Sequence, residues 1–141
     1  MKLNPECIRD LMLILEDITG ISKVNPYRFR EINCESLMWR NDLSNKYTEN
    51  EVAYTLIQLA ESGYIYMPFR IEYETVLNLG NILYVTPKGH EFIAKITDEQ
   101  RWQTKIKPLL NTMGNISLSV IEAVSSGVTN AFITQKLNGG L

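Results

Sequence analysis

Apolar residues at Ile8, Leu11, Met12, Leu15 and Ile18 recur at i, i+3, i+4, i+7 and i+10, the spacing that lines one face of an α-helix. The segment opens on Asn4-Pro5-Glu6: an N-cap acceptor, a ring already set at helical φ and an acid near the positive end of the helix dipole. Gly20 is expected to close this helix. Tyr27, Phe29 and Glu31 then alternate with Arg28, Arg30 and Ile32 as far as Asn33, the two-residue period of a short strand. Between Glu35 and Tyr47, Leu37, Met38 and Leu43 fit the inner side of a short helix set among the turn formers Asn41, Asp42, Ser44 and Asn45.

Thr48-Glu49-Asn50-Glu51 has the form of a capping box, in which threonine accepts from the third N–H and glutamate reaches back to the cap. Val52, Leu56, Leu59 and Ala60 follow on one face, with Tyr54 and Ile57 flanking it, and Ser62-Gly63 ends the helix. Tyr64–Met67 and Asn81–Val85 are rich in β-branched and aromatic residues, and 68–80 between them fits the sides and tip of a long hairpin. Thr86-Pro87-Lys88-Gly89 starts a further helix that runs through Phe92, Ile93 and Ile96. This order predicts an α+β fold, a winged helix-turn-helix core over residues 1–97 with the hairpin as its wing.

Residues 98–141 are read as a C-terminal helical extension that packs on the core or dimerises. Arg101–Leu110 is expected to be helical until Pro108 disturbs it, and Gly114-Asn115 marks a break. From Ser117 onward Val120, Ile121, Val124, Val128, Ala131 and Phe132 form an apolar stripe, interrupted by the small Ser125, Ser126 and Gly127. Val120, Val124, Val128 and Phe132 are therefore the candidate dimerisation residues, and a homodimer is expected. Glu122 within the stripe, with Ser, Thr and Asn on its other side, argues against a membrane span.

Composition narrows the class. With 141 residues, 45% of them apolar and 21% charged, the chain suits one soluble globular domain with an appended element. A net charge of −2 exerts no general pull on polyphosphate or anionic lipid. The N-terminus lacks a secretory apolar run, so a cytoplasmic location is expected. Cys7 and Cys34 belong to no ligand pattern and are expected to be buried free thiols.

Charge also bears on function. Between Glu49 and Val85 the acids are Glu49, Glu51, Glu61, Glu72 and Glu74, and the only base is Arg70. Phosphate contacts dominate affinity for DNA, so a recognition helix and wing of this sign would repel a duplex. Protein binding is the leading expectation, with a host or phage protein as partner. The wing aromatics Tyr64, Tyr66, Phe69, Tyr73 and Tyr84 cannot all point inward, and Trp39, Tyr66, Phe69 and Tyr73 are the candidate contacts. A dimeric transcriptional regulator that meets DNA through Arg28, Arg30, Arg40 and Lys46 is the alternative. His90 is the only histidine, and no nucleophile motif or metal-ligand cluster accompanies it. An enzyme, a metal and a cofactor are therefore not expected. His90 is read as a structural hydrogen-bonding group in the first turn of its helix, Gly89 as the residue that lets that helix pack closely on the hairpin, and Trp102 as a core anchor. Trp39 is open between core and exposed hot spot.

Val52-Ala53-Tyr54, Leu59, Gly63-Tyr64-Ile65, Val85-Thr86, Gly89-His90-Glu91-Phe92-Ile93, Asp98, Trp102 and Lys105 resemble the signature of an uncharacterised bacterial family common in phages and prophages. The resemblance covers residues 48 to 107 well and makes Gly89, His90, Phe92 and Trp102 motif residues. It implies a winged-helix-like fold and a phage or prophage setting, with no assigned biochemical role; an inhibitor of a host or defence component fits that class. This chain departs from the pattern at Thr55, where the family usually has histidine, at Ala94, where it usually has an acid, and at Thr97, where it often has arginine. Any metal or acid–base site in relatives is reduced here to His90, and one ligand does not hold a metal.

Overall fold

The structure, a computed structural model, describes residues 2–22, 28–68 and 80–127. Helix α1 spans Pro5–Ile18. It starts as its cap dictates, the Asn4 side chain accepting from Glu6 N–H at 3.0 Å. Its end differs from the expectation. Thr19, not Gly20, closes it, with both its N–H and its hydroxyl donating to Leu15 O at 2.9 and 2.6 Å. Gly20 is extended at φ 158°, and its carbonyl accepts from Arg30 N–H at 2.8 Å.

Strand β1 (Ile21–Ser22) pairs antiparallel with β2 (Arg28–Phe29), and β3 (Ile32–Asn33) follows. Asn33 caps α2 (Cys34–Met38) by accepting from Ser36 N–H at 3.1 Å. A second short helix, α3 (Asn41–Ser44), replaces the single one expected here. Leu37, Met38 and Leu43 all face the core. Helix α4 (Glu49–Glu61) begins on the Thr48 hydroxyl, which accepts from Glu51 N–H at 3.1 Å. The glutamate of the box turns elsewhere, with Glu51 Oε1 3.5 Å from Asn4 Nδ2.

Strands β4 (Ile65–Tyr66), β5 (Asn81–Ile82) and β6 (Tyr84–Val85) complete the described strands. The stretch from Asn81 to Val85 pairs antiparallel with β3 through its first half, Ile32 opposite Ile82, and with β4 through its second, Ile65 opposite Val85. Leu83, between the halves, donates its N–H to Tyr66 O at 2.9 Å. It is an extra residue, a bulge that resets the pleat, so that Ile82 and Val85 both face inward although three positions separate them.

Helix α5 (Pro87–Ile96) begins on Thr86, whose hydroxyl accepts from Gly89 N–H at 3.1 Å. After it come α6 (Glu99–Arg101), a π-helical turn over Trp102–Ile106, α7 (Lys107–Asn111) and α8 (Leu118–Ser125). The disturbance expected at Pro108 therefore appears one turn upstream, and the helix continues past it. Proline lacks an N–H for the carbonyl four residues back and its ring crowds that carbonyl. The widened turn, closed by Lys107 N–H on Trp102 O, accommodates this conflict while Trp102 and Ile106 both stay buried.

One core joins the longer helices from both ends of the chain. Ile8, Leu11 and Leu15 from α1 meet Leu56 and Leu59 from α4, Phe92 and Ile96 from α5, and Trp102, Ile106 and Ile121 from the C-terminal helices, all almost fully buried. Each such side chain contributes about 1.5–3 kcal/mol by leaving water. The C-terminal helices α7 and α8 thus pack on the same core as α1, α4 and α5. No helix among the described residues is long and apolar enough to cross a membrane.

Candidate functional site

A row of aromatic and aliphatic side chains runs across two of the two-stranded ladders, β1–β2 and β4–β6. Ile21 and Phe29 are opposite partners in the β1–β2 ladder and are 57% and 44% exposed. The Phe29 ring meets Tyr84 edge-on, centroids 5.2 Å apart, and Tyr84 meets Tyr66 at 5.1 Å. Tyr66, 47% exposed, is opposite Tyr84 across the β4–β6 ladder. The row arises because β2 alternates and because the Leu83 bulge turns Tyr84 outward while Val85 goes in. Glu31, Asn81 and Asn33 border it through Asn81 Nδ2 on Glu31 Oε2 at 3.1 Å and Asn33 Nδ2 on Asn81 Oδ1 at 3.3 Å. An apolar strip rimmed by polar groups is the anatomy of a protein-binding patch. Of the candidate contacts on the wing, Tyr66 lies in this row; among the other wing aromatics, Tyr64 is buried against Phe92. Phe69 and Tyr73 lie outside the described residues. Ile21 and Phe29 were not singled out by sequence; the signal available was that Phe29 and the wing tyrosines alternate in neighbouring strands.

Trp39 stands apart from this row. It ends α2 with 58% of its surface exposed, and its indole N–H donates to Glu49 Oε1 at 3.2 Å. The bases expected to meet DNA are placed less favourably. Arg40 grips Asp42 with two hydrogen bonds, Nε to Oδ1 at 3.1 Å and Nη2 to Oδ2 at 3.0 Å; this pairing lowers the Asp42 pKa. Lys46 Nζ is 3.3 Å from Asp10 Oδ2. Arg30 is exposed between β2 and β3, and the Arg28 side chain lies outside the described set. Two of these four cations are already matched by carboxylates, which weakens their pull on phosphate.

The dimerisation candidates fare similarly. Val124 is buried and Val120 half-buried against the chain's own core. Val128 and Phe132 lie outside the described residues.

The motif residues form the internal frame. A Cβ built on Gly89 would stand 2.1 Å from Tyr64 O and 2.7 Å from Val85 Cγ1, so only glycine permits this approach of α5 to β4 and β6. His90 is exposed in the first turn of α5, its Nδ1 3.5 Å from Glu16 Oε2. Trp102 is fully buried and donates its indole N–H to Glu6 Oε1 at 2.9 Å. Arg9, unnoticed in the sequence although it borders the apolar face of α1 beside Met12, is buried over the Trp102 ring at 5.4 Å. Its Nε and Nη2 donate to Ile96 O and Thr97 O at 2.8 and 3.1 Å, and Nη1 pairs with Glu99 at 2.8 Å. Cys7 and Cys34 are buried free thiols; burial pushes both pKa values up to about 12, which leaves them protonated and unreactive. Among the described residues no group of three His, Cys, Asp or Glu side chains converges as a metal site would require.

Glu6 supplies a pH-dependent link in this frame. Burial raises its pKa, but the Trp102 indole, the Lys107 ammonium 3.0 Å away and the Arg9 charge together outweigh that and hold it below the ordinary 4.5. A carboxyl lowered in the folded state stabilises the fold above its unfolded pKa, and the contribution fades as pH falls through the folded value. In urea unfolding from about pH 7 to about pH 3, Glu6→Gln should be less stable than the parent at neutral pH, with the gap closing in acid. A gap that stays constant across this range overturns the assignment.

The family model described as "Hypothetical protein (DUF2513)" matches residues 2–115, so the chain belongs to that family. No curated protein and no solved structure matches it.

Proposed function

We propose that this member of the hypothetical-protein family DUF2513 is a non-enzymatic protein-interaction module of winged-helix type, encoded by a phage or prophage. In this reading it acts in the cytoplasm and regulates or inhibits a host component. The architecture is supported by the position of the 81–85 stretch between β3 and β4, and by α2, α3 and α4 lying in the chain between β3 and the later strands β4, β5 and β6. The single observation that carries the function is the exposed row Ile21–Phe29–Tyr84–Tyr66. Aromatic side chains bring large rigid contact areas with little rotamer entropy to lose, which is why interfaces are enriched in them.

The helix that a winged-helix protein lays in the major groove supports the same reading. Its acids Glu49, Glu51 and Glu61 have no base among them, and Arg40 and Lys46 of the alternative DNA face are held by Asp42 and Asp10. Capture from a host lysate on the immobilised protein should therefore recover a protein partner, and Tyr66→Ser or Phe29→Ser should release it. Truncating a central hot-spot residue costs about 2 kcal/mol or more, roughly thirtyfold in affinity. Both positions are exposed, so the thermal midpoint should hardly move. Salt-sensitive binding of a random duplex, unaffected by Tyr66→Ser, would overturn this reading in favour of a DNA regulator.

A further inference from the structure

We propose that Trp39, with Glu49 at its ring edge, is a receptor for an arginine side chain of a basic segment on a partner protein. The inference rests on the protein-binding reading and narrows it at a second face. Tryptophan is the side chain that folding has most to gain from burying, yet Trp39 is 58% exposed. Its orientation is nevertheless fixed, because the indole N–H donates to Glu49 Oε1 at 3.2 Å. That hydrogen bond engages the ring edge, and more than half of the residue's surface is open to solvent. An indole face is the strongest side-chain surface for a cation, and a carboxylate at the ring edge adds direct attraction and a bidentate acceptor for a guanidinium.

The surrounding charge is complementary to such a ligand and to no polyphosphate. From Glu35 to Glu51 the chain carries Glu35, Asp42, Glu49 and Glu51 against Arg40 and Lys46, and both bases are drawn to carboxylates, Asp42 and Asp10. A cleft of about 400 Å³ lies between α1, β3 and α2, lined by the apolar Ile18, Ile32 and Leu37 with Glu31 and Arg40, the last of these next to Trp39 in the chain. A basic side chain on the indole and an aliphatic neighbour in this cleft is the pattern that a protein segment, rather than a free cation, can offer.

The test uses the two indoles as reporter and control. In a ¹H–¹⁵N spectrum, titration with a short peptide of arginine and leucine should move the Trp39 indole signal saturably and leave that of the buried Trp102 in place. Trp39→Phe identifies the signal. Trp39→Leu should weaken the peptide roughly fivefold or more, and Glu49→Gln should also weaken it, with the Trp102 signal showing that each variant is folded. The same peptide with glutamate in place of arginine should not bind. An unmoved Trp39 signal, equal affinity in Trp39→Leu, or equal binding of the glutamate peptide overturns the inference. A lysate partner that is lost with Tyr66→Ser but indifferent to Trp39→Leu overturns it too, while leaving the aromatic row as the binding face. A partner indifferent to Tyr66→Ser but lost with Trp39→Leu does the reverse.

Discussion

Gly89→Ala is expected to destabilise the protein by about 3 kcal/mol, at the upper end of what overpacking costs. Helix propensity alone predicts the opposite sign, since alanine is favoured over glycine inside a helix by about 1 kcal/mol. Packing decides, because the new methyl would sit 2.1 Å from a backbone oxygen, Tyr64 O. That oxygen cannot yield alone: it accepts from Thr86 N–H at 3.1 Å. Nor can α5 withdraw, because Thr86 is also its N-cap. Relief requires β4, β6 and the start of α5 to move together. Urea unfolding should show the midpoint falling by about 1–2 M, while Gly114→Ala, where a Cβ meets nothing within 4 Å, should stay within about 0.5 kcal/mol of the parent. Equal stability of the two variants would mean that α5 does not approach the strands this closely.

Local signals are legible in the chain where one short segment contains both partners of an interaction. Asn4 with Glu6 and Thr86 with Gly89 form the caps that their spacing implies. They are silent where the partner is distant in sequence. Glu51, expected to complete its own box, turns instead to Asn4, 47 positions away, and Arg9 finds its acceptors 87 and 88 positions on, at Ile96 and Thr97. Nothing in the residues around Arg9 distinguishes it from a solvated arginine at the margin of an apolar face.

The candidate site divides in the same way. That some wing aromatics must face outward follows from alternation, and Tyr66 does. Which of them do depends on a bulge at Leu83, and that extra residue is visible only once Ile82 and Val85 are both found pairing inward. Phe29 joins the row only because β2 lies beside the Asn81–Val85 stretch, a neighbour relation no local pattern carries. Trp39 remained undecided by sequence because its exposure depends on α2 stopping at Met38 and on where Glu49 starts α4. Acidity, by contrast, was legible at once, since the charge of α4 needs no fold to be counted.

Trp102→Ala is expected to cost about 4 kcal/mol, the range of a buried aromatic truncation that leaves a cavity. More than volume is involved. The indole N–H satisfies Glu6, Glu6 holds Lys107 at 3.0 Å, and the ring lies under the Arg9 guanidinium that caps the end of α5. Removing the ring therefore loosens α1, α5 and α7 from one another at a single point. Trp102→Phe should retain part of the packing but leave Glu6 without its indole donor, so its loss should shrink when Glu6→Gln is already present, the non-additivity of a shared bond. The form of the unfolding curve tests the architecture itself. If the core is continuous across residue 97, as the joint burial of Ile8, Phe92, Trp102 and Ile121 requires, Trp102→Ala unfolds in one transition shifted to lower urea. Two transitions, with proteolysis first opening 98–127 while the rest stays protected, would show instead that the C-terminal helices are a separate unit docked on an independent domain.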